Sequence, residues 1–328
     1  MKLSIIIPVY NVENYIYDCL ESILKQNIDK NDFEIIIVDD CGTDRSMAIV
    51  NDFIIRNSEY NISIIKYEKN KGLSGARNTG INVSQGDFLM FLDSDDFLCE
   101  NSLYECLKTI DTKKLDVLEF GYTELFETSQ NISVDCSSTF NNKILTGKEY
   151  FNFMIRNKSY TPMVWTRIYC TKFLKENSLY FKDRLISEDE DFTPRMLMRA
   201  KSVLKINKNV YMYRRRDNSI TTMFNRDIKW VESYIYIIES LYELSKHNKT
   251  SKKSIKLRAS QLNTSLLKNI VKYNIPEENR KKIIQLIKDK KMYKYSLFCQ
   301  NFQNICQGIL MIKPNLFIFL YHFFVKEA

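Results

Sequence analysis

Four short, uninterrupted apolar runs at the start of the chain constrain its fold more than any other feature. They are rich in β-branched residues and cover residues 3–9, 34–38, 62–67 and 87–92. Apolar sequence that is continuous, without polar residues in alternation, is typical of strands whose two faces are both buried. The runs therefore predict four buried strands.

Segments with helical spacing separate these strands. Their apolar residues recur at intervals of three or four, at Ile16, Cys19, Leu20, Ile23 and Leu24 in the first segment and at Met47, Val50, Phe53 and Ile54 in the second. The order of strands and helices predicts an α/β fold with a doubly wound, mostly parallel sheet and right-handed crossovers. Ligands of such a sheet bind at the carboxyl ends of its strands.

Charge and pattern divide the rest of the chain. Residues 1–200 contain 23 Lys and Arg against 31 Asp and Glu, whereas residues 201–328 contain 25 against 9, which makes the formal charges −8 and +16. We predict a ligand-binding half at 1–110, a second half of the same domain at 111–224, and a basic helical region at 225–328. The basic region favours contact with phosphates or anionic lipid, and no motif supports nucleic acid as a partner.

The cysteines and the apolar segments indicate a compartment. Eight cysteines are scattered without a C-x-x-C pair, which argues against a zinc site and against a disulfide framework. The N-terminus lacks the features of a signal peptide, and residues 316–325 fall short of the roughly 20 apolar residues that cross a bilayer. We expect a cytoplasmic protein. The segment 313–324 is rich in aromatic residues, which favours either packing in the core or peripheral contact with the inner face of the membrane.

An acidic cluster, Asp93-Ser94-Asp95-Asp96, directly follows the fourth apolar run. In an extended chain the side chains of Asp93 and Asp95 point to the same side, so that two carboxylates would converge on a hard cation such as Mg²⁺ or Mn²⁺. A solvated acidic turn has the same sequence. The cluster alone leaves both interpretations open.

Two further polar clusters are expected at the same sheet edge. Asp39 and Asp40 follow the second run, where a carboxylate accepts hydrogen bonds from a nucleobase or ribose, or caps the next helix. Residues 70–80 contain three of the eight glycines, among them Gly72, together with Arg77. Small residues and positive charge beside a helix N-terminus favour an anionic ligand, and a tight turn explains the glycines equally well.

In combination, four segments resemble glycosyltransferase family two, whose nucleotide-sugar-binding domain has the fold called GT-A. The segments are Pro-Val-Tyr-Asn at 8–11, Val-Asp-Asp-x-Gly-Thr-Asp at 38–44, Asn-Lys-Gly-Leu-Ser-Gly-Ala-Arg-Asn-Thr-Gly at 70–80, and Phe-Leu-Asp-Ser-Asp-Asp at 91–96. The resemblance implies a GT-A type, Rossmann-like sheet flanked by helices, with a C-terminal helical extension. Its members include bacterial enzymes of capsular and surface polysaccharide synthesis.

The resemblance also implies roles for single residues. Asp39 would hold the base, usually uracil, and Asp95 would be the main ligand of a Mn²⁺ or Mg²⁺ ion that bridges to the diphosphate. Asp93 would lie near the ribose and the metal. The remaining donor contacts that the family implies fall on Pro8, Tyr10, Asn11, Asp40, Gly72, Arg77, Ser94, Arg216 and Ser219.

A further acidic cluster, residues 188–191, begins a predicted helix. Carboxylates favour the first turn of a helix, which explains this cluster without catalysis. The resemblance maps the family's catalytic base to Asp189, with Glu188 adjacent, and such a base contributes roughly 10²–10⁴-fold. Trp165 lies in a stretch that resembles the family's aromatic segment, and its ring would stack on the acceptor sugar or belong to the core.

Together these residues predict an inverting glycosyltransferase that moves a sugar from a nucleotide-diphosphate donor, a UDP-sugar, to a hydroxyl group of a glycan or lipid-linked glycan. Two alternatives stay open: a catalytically silent protein that binds nucleotide sugars, and a nucleotidyltransferase that forms them. The nucleotidyltransferase would need a Gly-rich phosphate loop directly after the first strand. Residues 8–11 stand there instead.

Overall fold

The computed structural model describes residues 2–126, 132–133, 143–215, 228–272, 275 and 277–297. The strands within them are β1 (Leu3–Val9), β2 (Phe33–Asp39), β3 (Ile62–Lys66), β4 (Phe88–Phe91), β5 (Phe97–Leu98), β6 (Val117–Phe126), β7 (Ile132–Ser133), β8 (Arg167–Cys170) and β9 (Val203–Arg215). The helices are α1 (Ile16–Leu24), α2 (Ser46–Arg56), α3 (Gly72–Val83), α4 (Leu103–Thr112), α5 (Gly147–Arg156), α6 (Thr171–Glu176), α7 (Asp189–Leu197), α8 (Ile228–His247), α9 (Lys252–Lys272), α10 (Glu277–Asp289) and α11 (Lys294–Leu297).

The chain divides into two compact units. Met1–Tyr150 and Thr161–Arg216 form the first, which contains the sheet, and Phe151–Tyr160 and Asp217–Ala328 form the second. The division runs through α5. In the second unit α8 packs against α9 and α10, and α9 packs against α11.

The sheet of the first unit has the order β3-β2-β1-β4-β8-β6-β9-β5, and β7 pairs with β6. Pairing is parallel from β3 through β4, as the alternation of strands and helices predicts. It becomes mixed beyond β4, since β8 runs antiparallel to both β4 and β6. The predicted α/β sheet flanked by helices is confirmed, and each predicted strand ends within one residue of its observed boundary.

The burial predicted for the third strand is wrong. Every residue of β1 and of β4 is buried, whereas β3 is half-buried or exposed along its whole length. The reason is strand order: β3 lies at the edge of the sheet and has β2 as its neighbour on one side. An apolar run does not by itself reveal an edge position.

A glycine sets the close approach of α3 to β1. A Cβ atom on Gly80 would lie 2.3 Å from Ile6 Cγ2 of β1, far inside van der Waals contact. The helix that carries Arg77 therefore rests directly on the central strand of the parallel half-sheet.

Replacing Gly80 with valine should lower the free energy of unfolding by at least about 2 kcal/mol, because overpacking forces β1 and α3 apart. Asn82→Val is the matched control, since it places the same side chain at an exposed position of the same helix. Urea unfolding followed by circular dichroism measures both variants. Equal stability of the two would contradict the close packing.

Candidate active site

The parallel half of the sheet places the loops after β1, β2 and β4 at one edge. Val9, the last residue of β1, pairs with Asp39, the last residue of β2. Strand β4 pairs in parallel with β1 on the other side. The predicted donor-site residues thus leave adjacent strands at the same end, where ligands of such sheets bind.

Hydrogen bonds join the loop after β1 to the loop after β2. Asn11 adopts a φ of 53°, and its side-chain oxygen accepts from the Thr43 N–H at 2.8 Å. The Glu13 N–H donates to Asp44 Oδ2 at 2.8 Å, and Glu13 Oε2 accepts from the Arg45 N–H at 2.9 Å. These reciprocal bonds form one wall of the sheet edge from the protein's own groups.

Three more of the predicted donor residues, besides Asn11, lie along this wall. Pro8 is buried in β1, whereas Tyr10 is 50 % exposed and presents its ring to solvent. Asp39 is buried, and its Oδ1 accepts from the Cys41 N–H at 3.1 Å. A ligand at this wall would therefore meet the exposed Tyr10 side chain, whereas the Asp39 carboxylate lies largely below the surface.

Asp40 anchors the glycine-rich loop. Its two carboxylate oxygens accept from the Lys71 N–H at 2.6 Å and the Gly72 N–H at 2.9 Å, at the N-terminus of α3. Burial raises the pKa of Asp40, and these two hydrogen bonds offset part of the rise. Gly72 adopts a φ of 79°, which favours glycine. Asp40 and Gly72 were both predicted to contact the donor, and in the structure they are hydrogen-bonded to each other.

The acidic cluster after β4 forms a turn. The Asp96 N–H donates to the Asp93 carbonyl at 3.0 Å, so the alternation expected for an extended chain does not apply. Asp96 is 1 % exposed and accepts from the Tyr211 hydroxyl and from the Arg214 N–H, both at 2.8 Å. Burial, then Asp95 and Asp93, raise its pKa well above the ordinary value. Asp96 therefore ties the turn to β9.

Two residues that hold this turn were not among the predicted site residues. The Tyr211 hydroxyl accepts from the Asp93 N–H at 3.1 Å while it donates to Asp96. Arg214 Nε donates to the Asp95 carbonyl at 3.2 Å. Local sequence does not indicate which side chains of β9 reach back to the turn after β4, because these contacts join residues more than 100 positions apart. Ser94, also in the turn, is buried.

Arg77 joins the acidic turn to the acidic cluster at residues 188–191. Its Nη2 lies 2.7 Å from Asp93 Oδ1, and its Nη1 pairs with Glu188 Oε1. Burial by itself would lower the pKa of Arg77, and the charges of Asp93 and Glu188 outweigh it and raise the pKa. The structure thus places Arg77 between protein carboxylates.

Helix α7 begins with the predicted base. Glu188 is the N-cap, and Asp189, Glu190 and Asp191 occupy the first turn. Asp191 pairs with Arg195 at 2.8 Å one turn later. Burial first, then the charges of Glu188 and Glu190, raise the pKa of Asp189 to about 8. A carboxyl group with such a pKa exchanges a proton near neutral pH, as a general base requires.

The structure places Trp165 in the core, which is one of the two places that its sequence leaves open. The residue is 6 % exposed, and its ring stacks on Tyr211 at 4.3 Å and Tyr213 at 5.4 Å between centroids. Tyr122 meets the same ring edge-on at 5.0 Å. With this little exposed surface the indole offers no platform for a sugar.

A buried ionic network follows Trp165 in sequence. Glu119 and Arg167 are each 1 % exposed and form an ion pair at 2.5 Å, and Lys205 Nζ lies 3.3 Å from the other oxygen of Glu119. The Tyr150 hydroxyl donates to that oxygen at 2.7 Å. Arg167 also donates to the carbonyls of residues 161–163. It therefore shapes the segment before Trp165 from inside the core.

Tyr150→Phe removes one donor from the buried Glu119 carboxylate while it keeps the ring. We expect a loss of about 1.5–3 kcal/mol in the free energy of unfolding, the usual range for a hydrogen bond to a charged group. Tyr104→Phe is the control, because that side chain is exposed. Denaturant titration compares the two. A loss no greater than that of the control would mean that the hydroxyl contributes nothing.

Several predicted features lie in residues that the structure does not describe, and the described residues contain neither a preformed metal site nor a membrane-spanning helix. Arg216 and Ser219 fall in a stretch that the structure does not describe, as does the aromatic segment 313–324. Among the described residues, no group of three or more His, Cys, Asp and Glu side chains is arranged to hold a metal ion. No helix in the described part of the chain has the length and apolar character needed to span a membrane.

Comparison with known proteins adds a family and a fold. The model of glycosyl transferase family 2 matches residues 4–165. The poly(ribitol-phosphate) beta-N-acetylglucosaminyltransferase TarS of Staphylococcus aureus is 31% identical over 215 residues, which are 65% of this chain and 35% of TarS. The uncharacterized glycosyltransferase EpsJ of Bacillus subtilis is 31% identical over 222 residues, which are 67% of this chain and 62% of EpsJ.

A solved structure shares the fold over nearly the whole chain. The crystal structure of S. aureus TarS residues 1–349 in complex with UDP-GlcNAc superposes with a TM-score of 0.73 at 22% identity, covering 98% of this chain and 91% of that one. The chain spans about a third of the full length of TarS, 35%, and under two thirds of EpsJ. The comparisons therefore give a family match over residues 4–165 and a shared fold over nearly the whole chain.

Proposed function

Residues 4–165 belong to glycosyl transferase family 2, and on that premise we propose that the protein transfers a sugar from a nucleotide-diphosphate donor to a hydroxyl group of a cell-surface polymer. One observation carries the proposal. Arg77 links Asp93, on the turn after β4, to Glu188, beside the base candidate Asp189. Carboxylates suited to the donor side and to the acceptor side of one reaction are therefore neighbours.

In the proposed reaction Asp189 accepts the proton of the acceptor hydroxyl. The acceptor oxygen forms a bond to the anomeric carbon of the donor sugar while the bond from that carbon to the diphosphate oxygen breaks. The nucleoside diphosphate leaves on the opposite face, so that a single displacement inverts the anomeric configuration. A raised pKa at Asp189 favours this role, since a base is most effective when its pKa lies near the working pH.

We also propose that Asp95, with Asp93, would hold a divalent cation. Asp96 is committed to Tyr211 and Arg214, and one oxygen of Asp93 is committed to Arg77, which leaves few protein oxygens for a metal. Mg²⁺ usually takes only one or two protein carboxylates and completes its shell with water and substrate phosphates. The residues present fit that arrangement. The cation would offset charge on the departing diphosphate.

The donor is proposed to be a UDP-sugar, with UDP-GlcNAc the first to test. TarS is named as a beta-N-acetylglucosaminyltransferase that acts on poly(ribitol phosphate), and its structure contains UDP-GlcNAc. Tyr10, an exposed aromatic residue directly after β1, and Asp39, at the end of the neighbouring strand β2, would supply stacking and a hydrogen-bond acceptor that suit a uracil base. The acceptor is proposed to be a glycan, polyol-phosphate or lipid-linked polymer of the cell surface.

A screen of nucleotide sugars tests this function. We expect a UDP-sugar to raise the melting temperature and to be hydrolysed slowly in the presence of Mn²⁺ or Mg²⁺, and a chelator to reverse both effects. Binding without turnover, even with added surface polymers, would favour a silent binding protein. Release of pyrophosphate from UTP and a sugar phosphate would favour a nucleotidyltransferase. Failure of every nucleotide sugar to bind would overturn the proposal.

Peripheral contact with the inner face of the cytoplasmic membrane is a separate part of the proposal. It is supported by the charge of +16 over residues 201–328 and by the aromatic segment 313–324. Vesicles that contain anionic lipid should bind the full chain and release a variant that lacks residues 309–328. Equal binding of the two would remove the support.

A further inference from the structure

Arg77 is surrounded by groups of the protein itself. The residue is 2 % exposed, and two of its guanidinium nitrogens are engaged by Asp93 and Glu188. Its Cζ lies 5.7 Å from the ring centroid of Phe91 and 5.5 Å from that of Phe181, within the range of cation–π attraction. A side chain enclosed in this way presents almost no surface to a nucleotide.

The two carboxylates that Arg77 joins belong to different working parts. Asp93 starts the turn that Asp96 ties to β9, and Glu188 occupies the N-cap position of the helix whose first residue is Asp189. Because a guanidinium is planar and rigid, its two nitrogens set both the separation and the orientation of the carboxylates. A flexible cation such as lysine cannot do so.

Arg77 also sets the electrostatic environment of the base candidate. Glu188 and Glu190 raise the pKa of Asp189, and the Arg77 charge lowers it. The buried Nε of Arg77 has no hydrogen-bond partner among the described atoms, so the side chain is oriented by the two carboxylates and the two rings.

We propose that Arg77 is a positioning residue that holds the acidic turn and the base-bearing helix in one geometry and touches neither substrate. This inference rests on the proposed glycosyltransferase function, and it replaces the donor contact that the family resemblance implies for Arg77. Asp93 and Glu188 are its two partners, and the position of the Asp189 carboxyl is what the bridge maintains.

Arg77→Met keeps the length of the side chain and removes its charge and both bonds. In this variant the maximal rate with saturating UDP-sugar should fall by about 100-fold or more, the lower end of what a misplaced general base forfeits, while the donor Kd changes less than threefold, on the order of experimental scatter. Arg77→Lys should recover only a small part of the rate, because it restores charge without the fork. Arg56→Met is the control, since that arginine is exposed on α2, and it should behave as wild type.

The pH profile separates positioning from general loss of structure. Removing the Arg77 charge should move the acidic limb of the rate profile to higher pH, because that charge lowers the pKa of Asp189. Glu188→Gln should move the limb the other way, because Glu188 raises the same pKa. Damage to the fold would not shift the two variants in opposite directions.

A ¹³C NMR titration of carboxyl-labelled aspartate gives the same reading without turnover, with Asp189 assigned from the Asp189→Asn spectrum. Opposite shifts in Arg77→Met and Glu188→Gln support the proposal even if Arg77→Met loses too much activity to assay. If wild type neither binds nor hydrolyses any nucleotide sugar, the proposed function fails. If wild type is active but Arg77→Met weakens donor binding tenfold or more, with its saturated rate and its pH profile unchanged, Arg77 is a donor contact and this proposal fails.

Discussion

Replacing Asp189 with asparagine should reduce the rate of sugar transfer by about 10²–10⁴-fold, the contribution typical of a positioned general base. Asparagine has nearly the same shape but cannot accept the proton. Donor binding should survive, since Asp189 lies on α7 beside Glu188 and not on the turn after β4. Product formation with a radiolabelled donor measures the rate, and calorimetry measures the donor Kd.

Asp183→Asn serves as the control, because that aspartate is exposed on the segment before α7. Transfer by Asp189→Asn within twofold of wild type would show that another group takes the proton. Glu188, its neighbour and the N-cap of α7, would then be the candidate.

The same carboxyl predicts how the rate depends on pH. The pKa of Asp189 is raised to about 8, and a base works only when deprotonated. The rate should therefore rise with pH up to about 8 and then level off, and a rate independent of pH between 6 and 9 would contradict the assignment.

The contribution of Asp189 to folding stability should fall as pH rises, whereas the rate should increase. Between the ordinary pKa of an aspartate and the raised one, the folded protein keeps a proton that the unfolded chain has lost, so this group makes the fold less stable as pH rises. Asp189→Asn should accordingly unfold at a higher temperature than wild type at pH 8. Scanning calorimetry at two pH values tests the sign.

Replacing Asp95 with alanine should abolish the dependence of donor binding on divalent cations. Loss of a group that only supports a metal ligand costs 10–100-fold in metal affinity, and loss of the ligand itself should cost at least about that much. The turn itself should persist, because Asp96, Tyr211 and Arg214 hold it through bonds that do not involve the Asp95 carboxylate. Circular dichroism should therefore be unchanged.

Titrations of UDP-sugar with Mn²⁺ and with a chelator provide the comparison. Wild type should bind more tightly with the metal, whereas Asp95→Ala should bind equally under both conditions. Asp52→Ala, an exposed position on α2, controls for the loss of a surface charge. A metal effect in Asp95→Ala as large as in wild type would exclude Asp95 as the main ligand.

Local sequence was sufficient to predict the strands and helices of the first half and the edge of the sheet at which the candidate site lies. The continuous apolar runs at 3–9 and 34–38 became the buried strands β1 and β2. Because consecutive βαβ units are parallel, their carboxyl ends had to meet, and the loops that begin at Tyr10 and Asp40 lie side by side. Periodicity and chain connection contain this information.

Contacts between distant residues were not available from local sequence. The sequence allows Trp165 to stack on a sugar or to pack in the core. Its position in the structure depends on Tyr211 and Tyr213 of β9, whose rings stack on it. The apolar run of β3 looked as buried as that of β1, and its exposure followed from its place at the sheet edge. Local sequence encodes neither the rings that stack on Trp165 nor the position of β3 in the sheet.

Arg77 shows most clearly the difference between what the sequence determines and what only the tertiary structure decides. The sequence by itself determined that a basic residue follows a glycine-rich turn at the start of a helix, because glycines, charge and apolar spacing act over a few residues. Only the tertiary structure decided that its guanidinium faces Asp93 and Glu188. The physical reason is that a buried charge takes the partners that packing brings within about 3 Å, and packing is settled by the whole fold.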